Sequence, residues 1–356
     1  MASPSPTASP DRTAATAADA IAIELARCVH TASPLATCAA CEEACPRAAI
    51  AIGRDGPELA SAACDGCGLC IAACPRAAIG PSFARAIAIG RDAIGPIAFA
   101  ACERAGIAPG PGRIPCLHAL GERDLAGLWR RGVRRLAVSS GDCATCPRGA
   151  ATPLAHRLTR LDRLLSDRGL VPILLAALPA ASWTERRDSA GAQPARGGPQ
   201  RSRRGLFVFF EARADGSEDP PLPRAEDALL PGGADRDLAL CAPRIHPARC
   251  EACDACARLC PDSAIALVRE PEAAPTYLLD GHRCSGCGLC VDVCAVGAVE
   301  LVAWARPARG RLALVAARCR SCGASFRMPA ERPLGDGRCP ICLRTGRIRR
   351  PREVDP

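Results

Sequence analysis

The sequence predicts an α+β chain of several small domains, and three observations predict it. The 356 residues include 25 Cys but only six Phe, three Trp and one Tyr, so each domain buries a thin apolar core and needs another source of cohesion. The cysteines fall in Cys-x2-Cys and Cys-x3-Cys-Pro steps, too close for most disulfides and suited to thiolates converging on metal. Between two such groups, apolar runs alternate with amphipathic helix patterns, as βαβ units do.

Residues 1–20 are rich in Ala, Ser, Pro and Thr, with no basic stretch leading into an apolar one. They read as a disordered leader rather than a signal peptide. The longest apolar run, Leu170 to Ala181, contains Pro172 and Pro179; it is too short to span a bilayer and is expected as a buried strand. No transmembrane segment is expected, and the cysteine usage suits a cytoplasmic, reducing location.

A short unit occurs four times, ending at Cys45-Pro46, Cys74-Pro75, Cys260-Pro261 and Cys294-Ala295. Three copies carry the full Cys-x2-Cys-x2-Cys-x3-Cys spacing: Cys64, Cys67, Cys70 and Cys74; Cys250, Cys253, Cys256 and Cys260; Cys284, Cys287, Cys290 and Cys294. Structural zinc knuckles are the rival reading, since Cys-x2-Cys pairs also bind zinc, but zinc ribbons use two separated pairs rather than this duplicated triple step. Gly66, Gly68, Gly286 and Gly288 lie between ligands, where close backbone wrapping is needed. The apolar stretches Ile50 to Ile52 and Ile265 to Val268 should form small strands over the sites.

This pattern resembles the bacterial two-cluster ferredoxin, in which three thiolates of one unit and the fourth of the other enclose each [4Fe–4S] cube. The resemblance implies two ferredoxin-like 2[4Fe–4S] modules, residues 21–85 and 245–305. It assigns Cys250, Cys253, Cys256 and Cys294 to one cluster, Cys284, Cys287, Cys290 and Cys260 to a second, and Cys64, Cys67, Cys70 and Cys45 to a third. Two departures stand out. Leu35 occupies the place of a leading Cys in the first unit, which leaves Cys38, Cys41 and Cys74 for a fourth cluster. Cys28 is the expected replacement, with His30, a [3Fe–4S] centre or an empty site as rivals. Ala295 replaces a Pro, removing a turn constraint but no ligand.

The central stretch, residues 95–181, reads as strand Ile97 to Ala101, strand or turn Ile114 to Leu117, helix Glu122 to Arg131, strand Val133 to Ser139, helix Pro153 to Arg168 and strand Val171 to Ala177. Such units make a small α/β, Rossmann-like domain with a parallel sheet, whose ligands gather beyond the carboxyl ends of the strands. Cys102, Cys116, Cys143 and Cys146 all lie there. The segments around Cys102, Cys116 and Cys143 resemble the small iron–sulfur (delta) subunit of methyl-viologen-reducing hydrogenases. That resemblance implies a [2Fe–2S] cluster and electron transfer between a hydrogenase and heterodisulfide reductase. Zinc, a redox disulfide or plain buried thiols remain the alternatives for these four residues.

Residues 182–244, Arg-, Gly- and Pro-rich and then acidic, read as a flexible linker. Its apolar patch, Leu206 to Phe210, is either a docking patch or a strand. Residues 312–350 hold Cys319-x2-Cys322 and Cys339-x2-Cys342, paired knuckles that make a zinc-ribbon-like four-thiolate site, with a rubredoxin-type iron as the alternative. Arg347, Arg349, Arg350 and Arg352 follow and read as a solvated tail. Cys241 has no motif partner and reads as a free thiol.

The formal charge is +9, with every basic residue an Arg. Four oxidised four-thiolate cubanes and one four-thiolate zinc site, at about −2 each, would bring the loaded chain to roughly −1. No nucleic-acid partner is therefore expected. No Gly-x-Gly-x-x-Gly follows a strand, and no nucleophile sits beside a base, so independent catalysis has no support. The resulting expectation is an iron–sulfur electron-transfer protein working with donor and acceptor oxidoreductases. The alternative is an iron–sulfur assembly or nucleic-acid-associated factor that uses the zinc ribbon. Oligomeric state does not follow from the sequence.

Overall fold

The computed structural model describes residues 21–150, 152–195, 230, 237–269, 274–333 and 335–346. The expected leader, the patch Leu206 to Phe210 and the arginines beyond 346 lie outside them. The fold is mixed α/β. In the first cysteine-rich unit, β1 (Ala22–Ile23) pairs antiparallel with β4 (Ile79–Gly80), and β2 (Ile50–Gly53) pairs with β3 (Gly56–Leu59). Three one-turn helices lie among the cysteines: α1 (Val29–Ala32) follows Cys28, α2 (Ala40–Glu43) holds Cys41 and α3 (Leu69–Ala73) holds Cys70. The core here is partly sulfur, since Cys41 and Cys70 are buried beside Ile21, Ile50, Ile71 and Ile79.

Next comes a sheet in the order β10-β5-β6-β8-β9, with β7 beside β6. Its strands are β5 (Ala88–Asp92), β6 (Gly95–Cys102), β7 (Arg113–Ile114), β8 (Arg135–Ser139), β9 (Leu174–Ala177) and β10 (Gln193–Pro194). Strands β6, β7, β8 and β9 run parallel. The sheet as a whole is mixed, because β5 pairs antiparallel with β6, and β10 with β5; both strands lie outside the stretch expected to build it. The β5–β6 hairpin starts the sheet before residue 95.

Helices α4 (Glu122–Arg130) and α5 (Leu154–Asp167) cover one face. Asp124 accepts the Gly121 N–H at 3.0 Å and so caps α4. Leu154, Leu158, Leu161 and Leu165 recur at helical spacing on α5 and are buried with Ala98 and Ala100 of β6. The other face is closed by α6 (Ala180–Ser189), whose Trp183 is fully buried with Phe99 and Ala137. Burial on both faces explains why β6 is apolar along its length.

Two expectations change here. The linker expected from Ser182 begins with α6, because Trp183 anchors that segment: its ring meets Phe99 edge-on at 5.9 Å and its Nε1 donates to the Ala137 carbonyl at 3.1 Å. The far end of the same stretch is also ordered, as β11 (Ala239–Ile245). The strand expected as buried is an exposed edge: Leu174 is 64% and Leu175 40% accessible, since β9 ends the sheet and nothing pairs with its outer side among the described residues. Trp183→Ala should cost about 3–5 kcal/mol, seen as a lower urea midpoint for the central unit; an unchanged midpoint would show that α6 is dispensable.

The second cysteine-rich unit repeats the first. Strand β11 pairs antiparallel with β14 (Val299–Ala305), and β12 (Ile265–Val268) with β13 (Thr276–Asp280); the one-turn helices are α7 (Ala255–Leu259) and α8 (Leu289–Asp292). Strand β15 (Arg309–Arg318) continues this sheet from β13 to β16 (Ser325–Pro329). The last described helix is α9 (Pro340–Thr345). Among the described residues no helix is long and apolar enough to cross a membrane.

Candidate metal centres

All four copies of the repeat make the same turn. The third residue after the terminal Cys is left-handed in each: Ala48, Ala77, Ser263 and Gly297, with φ of 48°, 48°, 52° and 57°. The turn aims the next backbone N–H at the thiol. Ala49 donates to Cys45 at 3.2 Å, Ala78 to Cys74 at 3.3 Å, Ala264 to Cys260 at 3.2 Å and Ala298 to Cys294 at 3.1 Å. The unit with Ala295 in place of Pro makes the same bond, so the backbone does not need the ring. Such donors stabilise a thiolate and tune whatever it ligates. The wrapping glycines behave alike, with Gly66, Gly68, Gly286 and Gly288 all at positive φ. In the third copy Ala252 and Asp254 take those places at φ 52° and 67°. Asp254 is held there by Tyr277 and Arg327.

The thiols gather across copies. Cys256 is pushed up to about 12, by burial first and then by Cys250, Cys253 and Cys294. Cys290 is pushed up to about 12 by burial, then by Cys260, Cys287 and, more weakly, Cys256. Cys70 likewise reaches about 12 through burial, Cys67, Cys45 and Cys64. Cys41 reaches about 11 through burial, Cys74 and Cys38, with Cys28 a smaller contributor. Each terminal Cys thus faces the triplet of the other copy. Cys28 lies with Cys38 and Cys41, whereas Leu35 is 61% exposed and the His30 Nε2 is 2.8 Å from the Cys38 carbonyl. Thiols raised in this way hold their protons at neutral pH. Loading them with metal releases protons, so it strengthens as pH rises and is opposed by acid.

Cys241, expected as a free thiol, forms no disulfide but hydrogen-bonds Cys284, and the bond draws the pKa of Cys241 down and pushes that of Cys284 up. No spacing rule reveals this contact: Cys241 sits on β11, opposite Ala303 of β14, and Cys284 ends the turn Gly281–Arg283 in a separate stretch of chain.

The parallel strands explain the third gathering. Cys102 ends β6, Cys116 follows β7, and Cys143 and Cys146 follow β8, so all four reach the same sheet edge. They line one cavity of about 40 Å³, together with Pro115, Gly141 and Arg148. The Gly141 N–H donates to the Cys102 thiol at 3.3 Å. Burial raises Cys116 most, and Cys102 and Cys146 add to it.

The C-terminal group is more compact. The Sγ atoms of Cys319, Cys322, Cys339 and Cys342 all lie within 4.8 Å of one another, and those of Cys322 and Cys339 are 3.9 Å apart. Ligands about 2.3 Å from one ion in a tetrahedron are about 3.8 Å from each other, so this set fits a single ion. N–H groups of Cys339 and Cys322 point at Cys319 at 3.2 and 3.5 Å and hold its pKa down at about 6, the Cys339 bond contributing most. No other three potential ligand atoms among the described residues come this close.

No curated protein matches the chain. Residues 249–298 match the family model described as 4Fe-4S dicluster domain, a span that takes in β12, β13, α7, α8 and both complete cysteine loops of the second unit. The chain therefore contains a ferredoxin-type 4Fe-4S domain, and the chemistry of such a domain is iron–sulfur electron transfer.

Proposed function

We propose that the chain is an electron relay holding four [4Fe–4S] clusters in two crossed pairs. The observation that carries this is the N–H to Sγ turn, identical in all four copies, with each terminal thiol facing the opposite triplet. On this reading Cys28, Cys38, Cys41 and Cys74, and Cys45, Cys64, Cys67 and Cys70, serve the first module. Cys250, Cys253, Cys256 and Cys294, and Cys260, Cys284, Cys287 and Cys290, serve the second. A cubane bound there exchanges one electron at a time. The protein supplies thiolates, N–H donors that stabilise them, and apolar walls that exclude water. Cys102, Cys116, Cys143 and Cys146 are proposed for a [2Fe–2S] centre and the C-terminal four thiols for structural zinc. The partners are donor and acceptor oxidoreductases in a reducing compartment. The resemblance of the central segment favours a hydrogenase-, heterodisulfide-reductase- or molybdenum-type complex.

Protein purified without oxygen should be brown and contain about 16 iron per chain, or about 18 with the central site filled, with matching acid-labile sulfide and one zinc. Metal analysis with an EPR redox titration counts and types the centres together. A colourless protein carrying zinc alone would remove the relay.

A further inference from the structure

The contacts between units put the thiol groups in an order. Cys67 of the first module and Cys116 of the central edge are buried in one cluster with Leu69 and Ala119. Arg148 crosses the same seam, pairing with Asp65 at 2.8 Å and donating to the Pro115 carbonyl at 2.7 Å. Within the first module, Cys70 of one set and Cys41 of the other are buried in one apolar cluster with Ile50, Ile71 and Ile79. Within the second, Cys290 of one set and Cys256 of the other are likewise buried in one cluster.

The joint between the two modules is the most specific of these contacts. Arg76 and Asp262 form an ion pair in which both side chains are buried, at 3% and 8% exposure. Each stands two residues after a crossing ligand, Cys74 and Cys260, so the pair ties one Cys-Pro loop to the other. The Ser285 hydroxyl also donates to Asp262, at 2.5 Å. Beside it, Thr37 gives its N–H and its hydroxyl to the two carboxylate oxygens of Asp292, each at 2.9 Å. Cys38 and Cys287 pack against the same buried Val29, Leu289 and Val293. The sets that meet are therefore those of Cys38 and Cys287, not the outer two.

Resting on the iron–sulfur reading above, we propose that the centres form one unbranched series. It runs from the central sheet edge through the Cys67 set, the Cys38 set and the Cys287 set to the Cys253 set, with its middle link clamped by Arg76 and Asp262. Exposure agrees with two ends: among the thiols of these five sets, Cys143 and Cys253 are exposed, one at each terminus of the series, and the rest are buried or half-buried. A one-electron donor protein with a flavin or iron–sulfur centre docks at one end and a one-electron acceptor of the same kind at the other. At each step one centre is oxidised by one electron and its neighbour reduced by one, with no bond made or broken.

The test uses the full-length chain, purified anaerobically and reduced with dithionite. Cys38→Ser identifies the EPR signal of its own set by subtraction. In Cys287→Ser that signal should narrow and relax more slowly, because its paramagnetic neighbour in the other module has gone; an unchanged width and relaxation would overturn the series. Arg76→Asp and Asp262→Arg keep every thiol. Each alone should weaken the same magnetic interaction at wild-type iron content, and the two together should restore it; single variants with the full interaction would remove the clamp. Wild-type protein without iron and labile sulfide would sink the iron–sulfur reading itself, whereas full iron without interaction between modules sinks the series alone.

Discussion

Cys260→Ser should lower iron from about 16 to about 12 per chain, and the missing cluster should be the one proposed for Cys284, Cys287 and Cys290, not that of its own loop. Helix α7 ends at Leu259, and Cys260 then adopts extended backbone, leaving its triplet. Its thiol raises the pKa of both Cys287 and Cys290, whereas the terminal thiol that Cys256 feels is Cys294. Iron and sulfide analysis gives the number lost. EPR comparison with Cys284→Ser and Cys253→Ser tells which set lost it. A spectrum matching the Cys253 variant would refute the crossed arrangement.

The second large effect is expected at the C-terminal knuckles. Cys319→Ser should release the proposed zinc and unravel residues 319–346, because the buried apolar cluster there consists of Cys319, Cys339 and Cys342 with Phe326 packed against it. A segment with so little else to bury depends on ligation, which is worth about 10–16 kcal/mol for a structural zinc in small peptides at neutral pH. Loss of one zinc and new protease cleavage within 319–346 are the expected readouts; a protease-resistant, metal-free segment would show that the hairpin stands alone. The damage should also reach the neighbouring module, since Arg327 pairs with Asp254, Arg344 with Glu251, and Arg332 donates to the Cys250 carbonyl at 2.7 Å.

Regular spacing made much of this legible. The strands and helices of the central unit could be read from periodicity, because its sheet is covered on both faces and its helices bear a clear apolar stripe. Composition places the start of α6 in the linker because the neighbours of Trp183 are polar or charged; burial of one aromatic ring, not a pattern, fixes that helix. Strand β9 was misread for the opposite reason, as apolar composition marks a strand without telling whether it lies inside a sheet or at its margin. The match to the dicluster family falls on the module in which both loops have full cysteine spacing. The first cysteine-rich unit, where Leu35 stands in place of a Cys, is proposed as a second module from its geometry. The Cys241 contact and the Arg76–Asp262 pair join segments far apart in sequence, and no local rule reports on such meetings.

The exposure of Cys143 and Cys253 sets how the protein fares in air. Peroxide or dioxygen diffusing from solvent meets these two sulfurs before the shielded ones, and oxidised sulfur no longer serves as a thiolate donor. On the proposed assignment, damage begins at the extremities and works inward. An aerated sample would lose contact with its partners while the interior inorganic cores were still intact, so its colour would outlast its competence.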